Sequence, residues 1–370
     1  MKSKVVHLSS VHPMTDTRIF RKQCSTLVSA GYDVTFIVQH NHDEVVDGIQ
    51  ILALPKPTNR FERMFKVAWR LYQRAKKENA DIYHFHDPEL LIVGMMLALS
   101  GKKVIYDAHE DTPAQILDKE WISPLIRWPV ARFLALLEHL TITLFEAVIT
   151  ATPAIARRFP AAKTETIQNF PILGELDSAI DAIYSQRPAA ITFTGGLTAG
   201  RGAREIISAV WQVAQQQDIR LKLAGYIWPD SLDNELHHHP GWGQVDFLGW
   251  QNRQQMASLF SEVRAGLVLF HPLSNHIQAQ PNKLFEYMSA GLPVIASDFP
   301  LWREIIESAG CGLLVDPMDP EKIAQAISWI LNNPEEAEAM GQRGRDAVYS
   351  QYNWDTESKK LITLYKRILS

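Results

Sequence analysis

A chain of 370 residues exceeds what one hydrophobic core supports and suits two domains. Apolar residues make up 46% and charged residues 21%, the balance of a folded globular protein. The net charge of -4 argues against broad nucleic-acid binding, and the two cysteines, Cys24 and Cys311, lie too far apart in sequence for a disulfide framework or a metal-ligand cluster, which suits a reducing cytoplasm.

The opening MKSKVVHLSS has too short an apolar run for a signal peptide. Strand patterns at 5–9, 33–38, 49–54, 81–85, 104–108 and 147–151 alternate with helical patterns at 17–30, 60–78, 88–100 and 126–146. This alternation predicts a parallel sheet with helices on both faces, and such sheets bind ligands beyond the C-terminal ends of their strands. The most apolar long stretch, 133–151, carries Glu138, His139 and Glu146, and falls short of the roughly 20 apolar residues of a membrane span. The expectation is a soluble protein, associated with a membrane from one side at most. Regularity weakens between 157 and 188, where QNFPILGELDS (168–178) reads as a connector. A second alternating unit follows, with strands at 190–194, 220–224, 245–248, 266–270, 294–296 and 312–315 and closing helices at 320–331, 334–349 and 356–369. Two such units facing each other would leave a ligand cleft at the connector.

The most informative stretch is PNKLFEYMSAGLPVIASD, 281–298. It reads as a helix with Pro281 at its first position, a core stripe of Leu284, Phe285 and Met288, a stop at Gly291, and then a buried strand. Asn282 and Lys283 fall in the first turn, where unpaired N–H groups and the helix dipole favour an anion. Glu286 is three residues on and shares the face of Lys283. Phosphates at Lys283 and a ribose at Glu286 would suit a nucleoside diphosphate; a surface Lys–Glu pair is the competing reading. The turn Gly195–Gly202 follows a strand and opens a helix, so its backbone and Arg201 are a second candidate phosphate site, against a generic turn with a solvated arginine. No GxGxxG is present, which argues against a dinucleotide site.

In the first half, His84, His86 and Asp87, and then His109, Glu110 and Asp111, sit at consecutive strand ends. A polar substrate there is the functional reading. A metal held by His84, His86 and His109 is disfavoured, on the expectation that side chains alternating along a strand diverge. The run His237, His238 and His239 reads as a loop tip. The segment 60–77 carries seven Lys or Arg against one Glu, with Phe61, Met64, Phe65, Ala68, Leu71 and Tyr72 as its apolar stripe. It is either an ordinary helix with a basic outer face or a helix that meets an anionic membrane. Trp121, Trp128 and Phe133 add aromatic weight to the same half.

Several segments, in order along nearly the whole chain, resemble the retaining GT-B glycosyltransferases of family 4: HLSSVHPMTDTRIFRK, YHFHDPELL, VIYDAHED, FTGGLTAGRG, PNKLFEYMSAGLPVIASDFPLWREI and GCGLLVDPMDP. The resemblance implies two Rossmann-like, doubly wound parallel-sheet domains facing across a cleft. Residues 1–170 would bind the acceptor, 171–353 the nucleotide-sugar donor, and the helix 354–370 would pack back on the first domain. It implies transfer of a hexose from a UDP- or GDP-sugar to an acceptor hydroxyl without metal or cofactor. Together with the basic helix, it suggests a lipid-linked saccharide acceptor in bacterial surface polysaccharide synthesis, at the inner face of the cell membrane. A nucleotide-sugar 2-epimerase of the same fold and a non-catalytic sugar-nucleotide-binding subunit are the alternatives.

The resemblance also assigns residues. Donor contacts fall to Gly195, Gly196, Arg201, Gln278, Asn282, Lys283, Leu284 and Glu286, and acceptor contacts to Asp16, Arg18, His86, His109 and Glu110. Catalytic roles fall to His109, Lys283 and Arg201. Glu286 is the second Glu of the family's E-x7-E pattern, Arg201 stands where a phosphate-binding Lys is usual, and His109 matches a histidine near the transferred sugar. The chain departs from the pattern at Gln278, in place of the first Glu, at Gly196, in place of an Arg, and at VHPMTDTR, in place of a glycine-rich loop. Lys283 with Asn282 is expected to supply the charge lost at Gly196, and Arg18 to approach the phosphates from the other domain.

Overall fold

The computed structural model describes residues 2–59, 61–118, 122–176 and 183–370. Arg60, Trp121 and the connector's last two residues, 177–178, lie outside them. The chain divides into two compact units, Met1–Asn169 with Trp354–Ser370, and Phe170–Asn353.

Unit 1 holds β1 (Lys4–Pro13), β2 (Asp33–Gln39), β3 (Glu44–Val46), β4 (Ile49–Leu54), β5 (Ile82–Phe85), β6 (Lys103–Ala108), β7 (Ala147–Thr150) and β8 (Thr164–Thr166). They form one sheet in the order β3-β4-β2-β1-β5-β6-β7-β8, parallel except for the β3–β4 pair. One face is apolar: Val6, Leu8, Tyr83, Phe85, Val104, Tyr106 and Val148 enter a single core. The alternate positions on the same strands include His7, His84 and Asp107, all fully buried. The C-terminal helix, Trp354–Leu369, packs against the segment 17–29 and brings Tyr365 to these histidines.

Unit 2 holds β9 (Ala190–Leu197), β10 (Arg220–Ile227), β11 (Val245–Gly249), β12 (Ala265–Val268), β13 (Val294–Ser297) and β14 (Gly312–Val315) in the parallel order β11-β10-β9-β12-β13-β14. Successive strand residues enter opposite cores. Leu223, Leu267 and Ile295 join one cluster; Ala224, Val268 and Ala296 join the other. Burial on both faces is what a doubly wound parallel sheet demands of its strands.

Several boundaries differ from the sequence-based expectation. The antiparallel β3, the short β8 and the helix Thr112–Asp118 carry too little apolar periodicity to stand out in sequence. β1 runs on to Pro13, so part of the VHPMTDTR segment is strand. Gly195, Gly196 and Leu197 belong to β9, because each pairs in register with β10. His237 ends the helix Asp230–His237, and the His239 ring accepts from the N–H of Gly241, so the triple-histidine run is a helix end rather than a loop tip.

Candidate active site

In unit 2 the strand ends come close at two glycines. Gly195 has φ +91°, and a Cβ on Gly225 would lie 2.0 Å from the Gly195 carbonyl oxygen, so only glycine fits there. Beyond them the helix Asn282–Ser289 begins, with Pro281 as its N-cap rather than its first residue. Leu284, Phe285 and Met288 are buried in the core, and Gly291 adopts φ +68° past the helix end.

Lys283 lies in the first turn of this helix and is only 8% exposed. Its ammonium sits 3.5 Å from the centroid of the Phe193 ring and 5.4 Å from that of Phe270. Among the described residues Nζ has no hydrogen-bond partner. It stands 3.9 Å from where a Cβ of Gly195 would be. Burial, and then the charge of Arg201, push the ammonium well below the usual lysine range. Arg201 lies over the other side of this corner, its guanidinium 5.4 Å from the Phe270 ring and Nη1 donating to the Gly196 carbonyl at 2.9 Å. Two cations and a helix N-terminus thus converge on a glycine-lined strand end, an arrangement suited to phosphate.

The competing surface-pair reading fails, because Lys283 is neither on the surface nor bonded to Glu286. Glu286 instead accepts from Arg253 Nη1 at 2.6 Å, while Nη2 of Arg253 donates to Glu175 at 2.5 Å. The two carboxylates hold the Arg253 guanidinium firmly charged. Sequence reasoning missed Arg253; the structure shows a capping box of Asn252 and Gln255 at the start of its helix, the one local signal beside it. Leu284 is a correction: its side chain is in the core and its N–H donates to the Pro281 carbonyl, so it offers a ligand nothing polar. Asn282 and Gln278 are exposed. At Gly196 an added Cβ would meet the Tyr226 ring at 2.8 Å, so the tyrosine, also unforeseen, fills the space where an arginine side chain would begin.

In unit 1 three of the residues assigned to the acceptor, Arg18, His86 and His109, meet at Asp107. Its Oδ2 accepts from Gln23 at 2.7 Å and from Arg18 Nε at 3.2 Å, while Oδ1 accepts from Arg18 Nη2 at 2.8 Å. Arg18 Nη1 donates to the Ile167 carbonyl at 2.8 Å, so its guanidinium is bound within unit 1 and 5% exposed. That places it as a partner of Asp107, not as an arginine reaching for phosphates. His86 Nδ1 lies 3.2 Å from His109 Nε2, and each is 3.4 Å from Asp107 Oδ2. His86 Nε2 meets His7 Nδ1 at 2.9 Å, and the Tyr365 hydroxyl meets His84 Nδ1 at 2.7 Å. Burial holds His7, His84 and His86 well below the usual histidine range, so they are neutral near pH 7. Asp16 caps the segment 17–24 by accepting from the Ile19 N–H, and its bond from His12 helps hold its carboxyl at about 2. Glu110 is exposed and accepts from Gln115.

The expectation that His84 and His86 diverge is overturned. Residues two apart on a strand share a face, and both rings turn towards Asp107. His86, Asp107 and His109 present donor atoms 3.2–3.4 Å apart, close to the edge of about 3.3 Å of a tetrahedron around zinc. Arg18 and Gln23 already occupy the carboxylate, and the guanidinium neutralises it, so the cluster is explained as a hydrogen-bonded network.

The comparisons with known proteins bear on the family and the fold. Two family descriptions match in tandem: Glycosyltransferase Family 4 over residues 17–170 and Glycosyl transferases group 1 over residues 181–347. Phosphatidyl-myo-inositol mannosyltransferase of Mycobacterium tuberculosis is 22% identical over 348 residues, covering 85% of this chain and 82% of the relative. An uncharacterized glycosyltransferase of Methanocaldococcus jannaschii is 27% identical over 48% of this chain and 44% of its own length. The chain spans less than half the length of the first curated relatives it matches. Among solved structures, sucrose-phosphate synthase from Thermosynechococcus elongatus superposes with a TM-score of 0.75 at 18% identity, covering 99% of each chain. Anabaena Alr3699/HepE in complex with UDP-glucose gives 0.72 at 14% identity, covering 98% of this chain and 99% of that one. Tandem family matches across both units, together with these folds, establish that the chain belongs to the GT-B glycosyltransferases of family 4.

Proposed function

We propose that this protein transfers a hexose from a UDP- or GDP-sugar to an acceptor hydroxyl, retaining the configuration at the anomeric carbon and using neither metal nor cofactor. The observation that carries this reading is Lys283, a buried ammonium with no acceptor among the described residues, at a glycine-lined strand end beside Arg201. A diphosphate would supply the missing acceptor. As the bond from the anomeric carbon to the phosphate oxygen breaks, negative charge develops on the leaving diphosphate, and Lys283, Arg201 and the N-terminus of the 282–289 helix stabilise it where it forms. The leaving phosphate takes the acceptor proton, and the acceptor oxygen bonds the same face of the sugar. Glu286, oriented by Arg253, accepts from the ribose hydroxyls.

In this scheme unit 2 binds the donor and unit 1 the acceptor, with His109 held by Asp107 and His86 as the sugar-facing group. Relatives named as phosphatidylinositol mannosyltransferases favour a lipid-linked saccharide acceptor, and with it surface polysaccharide synthesis at the inner face of the membrane. Calorimetry with UDP and GDP, free of metal, tests the donor site; preference for one nucleotide is expected, and loss of that binding in Lys283→Ala. Nucleotide release that occurs only with an acceptor then separates transfer from epimerisation and from simple binding. Folded protein that binds neither nucleotide would overturn the proposal.

A further inference from the structure

The outer face of unit 1 is apolar where a solvated helix is polar. In the helix Pro124–Ile142, Ala131, Glu138, Thr141 and Ile142 face inward. The opposite side presents Leu125, Ile126, Trp128, Phe133, Leu136 and Leu140, all exposed, with Leu125 at 88% and Phe133 at 67%. A second group, Phe61, Met64, Phe65 and Trp69, is exposed at the start of the basic segment that leads into the helix Ala68–Glu78, with Phe61 at 77%. The helix Leu91–Leu99 packs against both the 68–78 and the 124–142 helices, so the exposed groups lie on helices of one side of the sheet. Exposed aromatic and aliphatic side chains gathered this way mark an interaction surface.

Charge identifies the partner. On the 124–142 helix Arg132 is exposed beside the apolar face, its guanidinium 5.0 Å from the Trp128 ring, while Arg127 turns back to donate to the Ile122 carbonyl. Glu138 is buried, accepting from Arg158 at 2.6 Å and from the Tyr106 hydroxyl at 3.1 Å. The segment 62–78 adds six Lys or Arg against two Glu, in a chain whose net charge is -4; Arg63 and Arg74 among them pair with Glu89 and Asp43 outside the segment. A second copy docked on the same face would set like charges together, whereas a leaflet containing anionic lipid would neutralise them. No helix among the described residues is long and apolar enough to cross a membrane. We propose that the 124–142 helix, together with residues 61–69, is an interfacial docking surface for an anionic lipid leaflet, with Trp128 and Phe133 at the depth of the headgroups and Arg132 and Arg70 among the phosphates. This surface is independent of the donor site in unit 2.

The test is cosedimentation of the full chain with phosphatidylglycerol–phosphatidylcholine vesicles and with phosphatidylcholine vesicles. Wild-type protein is expected to pellet with the anionic vesicles and to be released by salt. The triple variant Phe133→Ser/Leu136→Ser/Leu140→Ser, altered only at exposed positions, should lose about tenfold or more of its partitioning. Arg70→Gln and Arg132→Gln should each lose about fivefold. Unchanged thermal melting and nucleotide binding of the variants would show that both units remain folded. Wild-type protein left in the supernatant with anionic vesicles overturns the proposal, as does a triple variant that pellets like wild type. A vesicle-free dimer that the triple variant dissociates would give the face to a second copy instead.

Discussion

In unit 1 the buried carboxylate of Asp107 is met by Arg18, Gln23 and the rings of His86 and His109; in unit 2 the buried ammonium of Lys283 meets two aromatic faces and, among the described residues, no acceptor. Both charges have lost their water. Only the first has recovered the loss inside the protein, so it holds its neighbours in place and has little left to give a ligand. The second remains poorly solvated until an anion arrives, and the relief of that state adds to binding. The difference separates a charge that builds the fold from one that waits for substrate.

The comparison breaks most visibly at Asp107. Asp107→Ala leaves the Arg18 guanidinium buried and unpaired, an expected loss of roughly 3–5 kcal/mol. In a two-unit protein this should appear as an earlier first transition in urea unfolding rather than as a uniform shift. Nucleotide binding by unit 2 should survive. A loss below about 1 kcal/mol would mean that Arg18 finds water or another acceptor.

Lys283 predicts the reverse pattern. Lys283→Ala removes one charge-assisted contact of about 1.5–3 kcal/mol to the leaving diphosphate, which is roughly ten- to a hundredfold in turnover. Lys283→Met, which keeps the packing on Phe193 and Phe270, should lose nucleotide affinity to a similar degree while the ligand-free protein melts no lower than wild type. Turnover within about twofold of wild type would remove Lys283 from the donor site.

The sequence showed this half of the comparison far better than the other. The 281–298 stretch carries its helix, its stop and its strand in local signals, and Lys283 falls in the anion-favouring first turn by position alone. What makes the lysine unusual, burial without an acceptor among the described residues, depends on Phe193 of β9 and on Phe270, just past the end of β12. Arg253 and Tyr226 were illegible for the same reason: one becomes informative only through Glu175 and Glu286, the other only through its ring against Gly196. Around Asp107 the residue types were visible at the strand ends, but their convergence follows from the β1-β5-β6 order, which no local pattern states. Arg18 was misjudged because its partner is 89 residues away.

A smaller effect sharpens the relation between Lys283 and Gly196. If the lysine replaces an arginine at 196, then Gly196→Arg with Tyr226→Ala, which clears the ring now 2.8 Å from the Cβ position, should restore roughly tenfold of the affinity lost by Lys283→Ala. Gly196→Arg alone should restore less, since the exposed Tyr226 ring must first swing aside. Calorimetric affinities for the nucleotide across wild type and these three variants would decide between relocation of the charge and an unrelated role.

The gentlest probe is pH, and the two clusters should answer in different windows. Lys283 has its pKa lowered from 10.5 in the folded, ligand-free protein. Between that lowered value and 10.5 the unfolded chain binds more protons, so stability should rise with pH across the window. His7, His84 and His86 are lowered from 6.5, so their contribution has the same sign but is lost as pH falls below 6.5. His12, raised by its bond to Asp16 and the nearby carboxylates, opposes them in part. A diphosphate bound at Lys283 should raise the ammonium pKa and flatten only the alkaline slope, leaving the acid one unchanged. It should also draw in a proton at pH values between the lowered pKa and 10.5, read as a buffer-dependent calorimetric enthalpy that Lys283→Met lacks. An alkaline slope indifferent to nucleotide would place the diphosphate away from Lys283 and leave Arg201 as the remaining cation at that strand end.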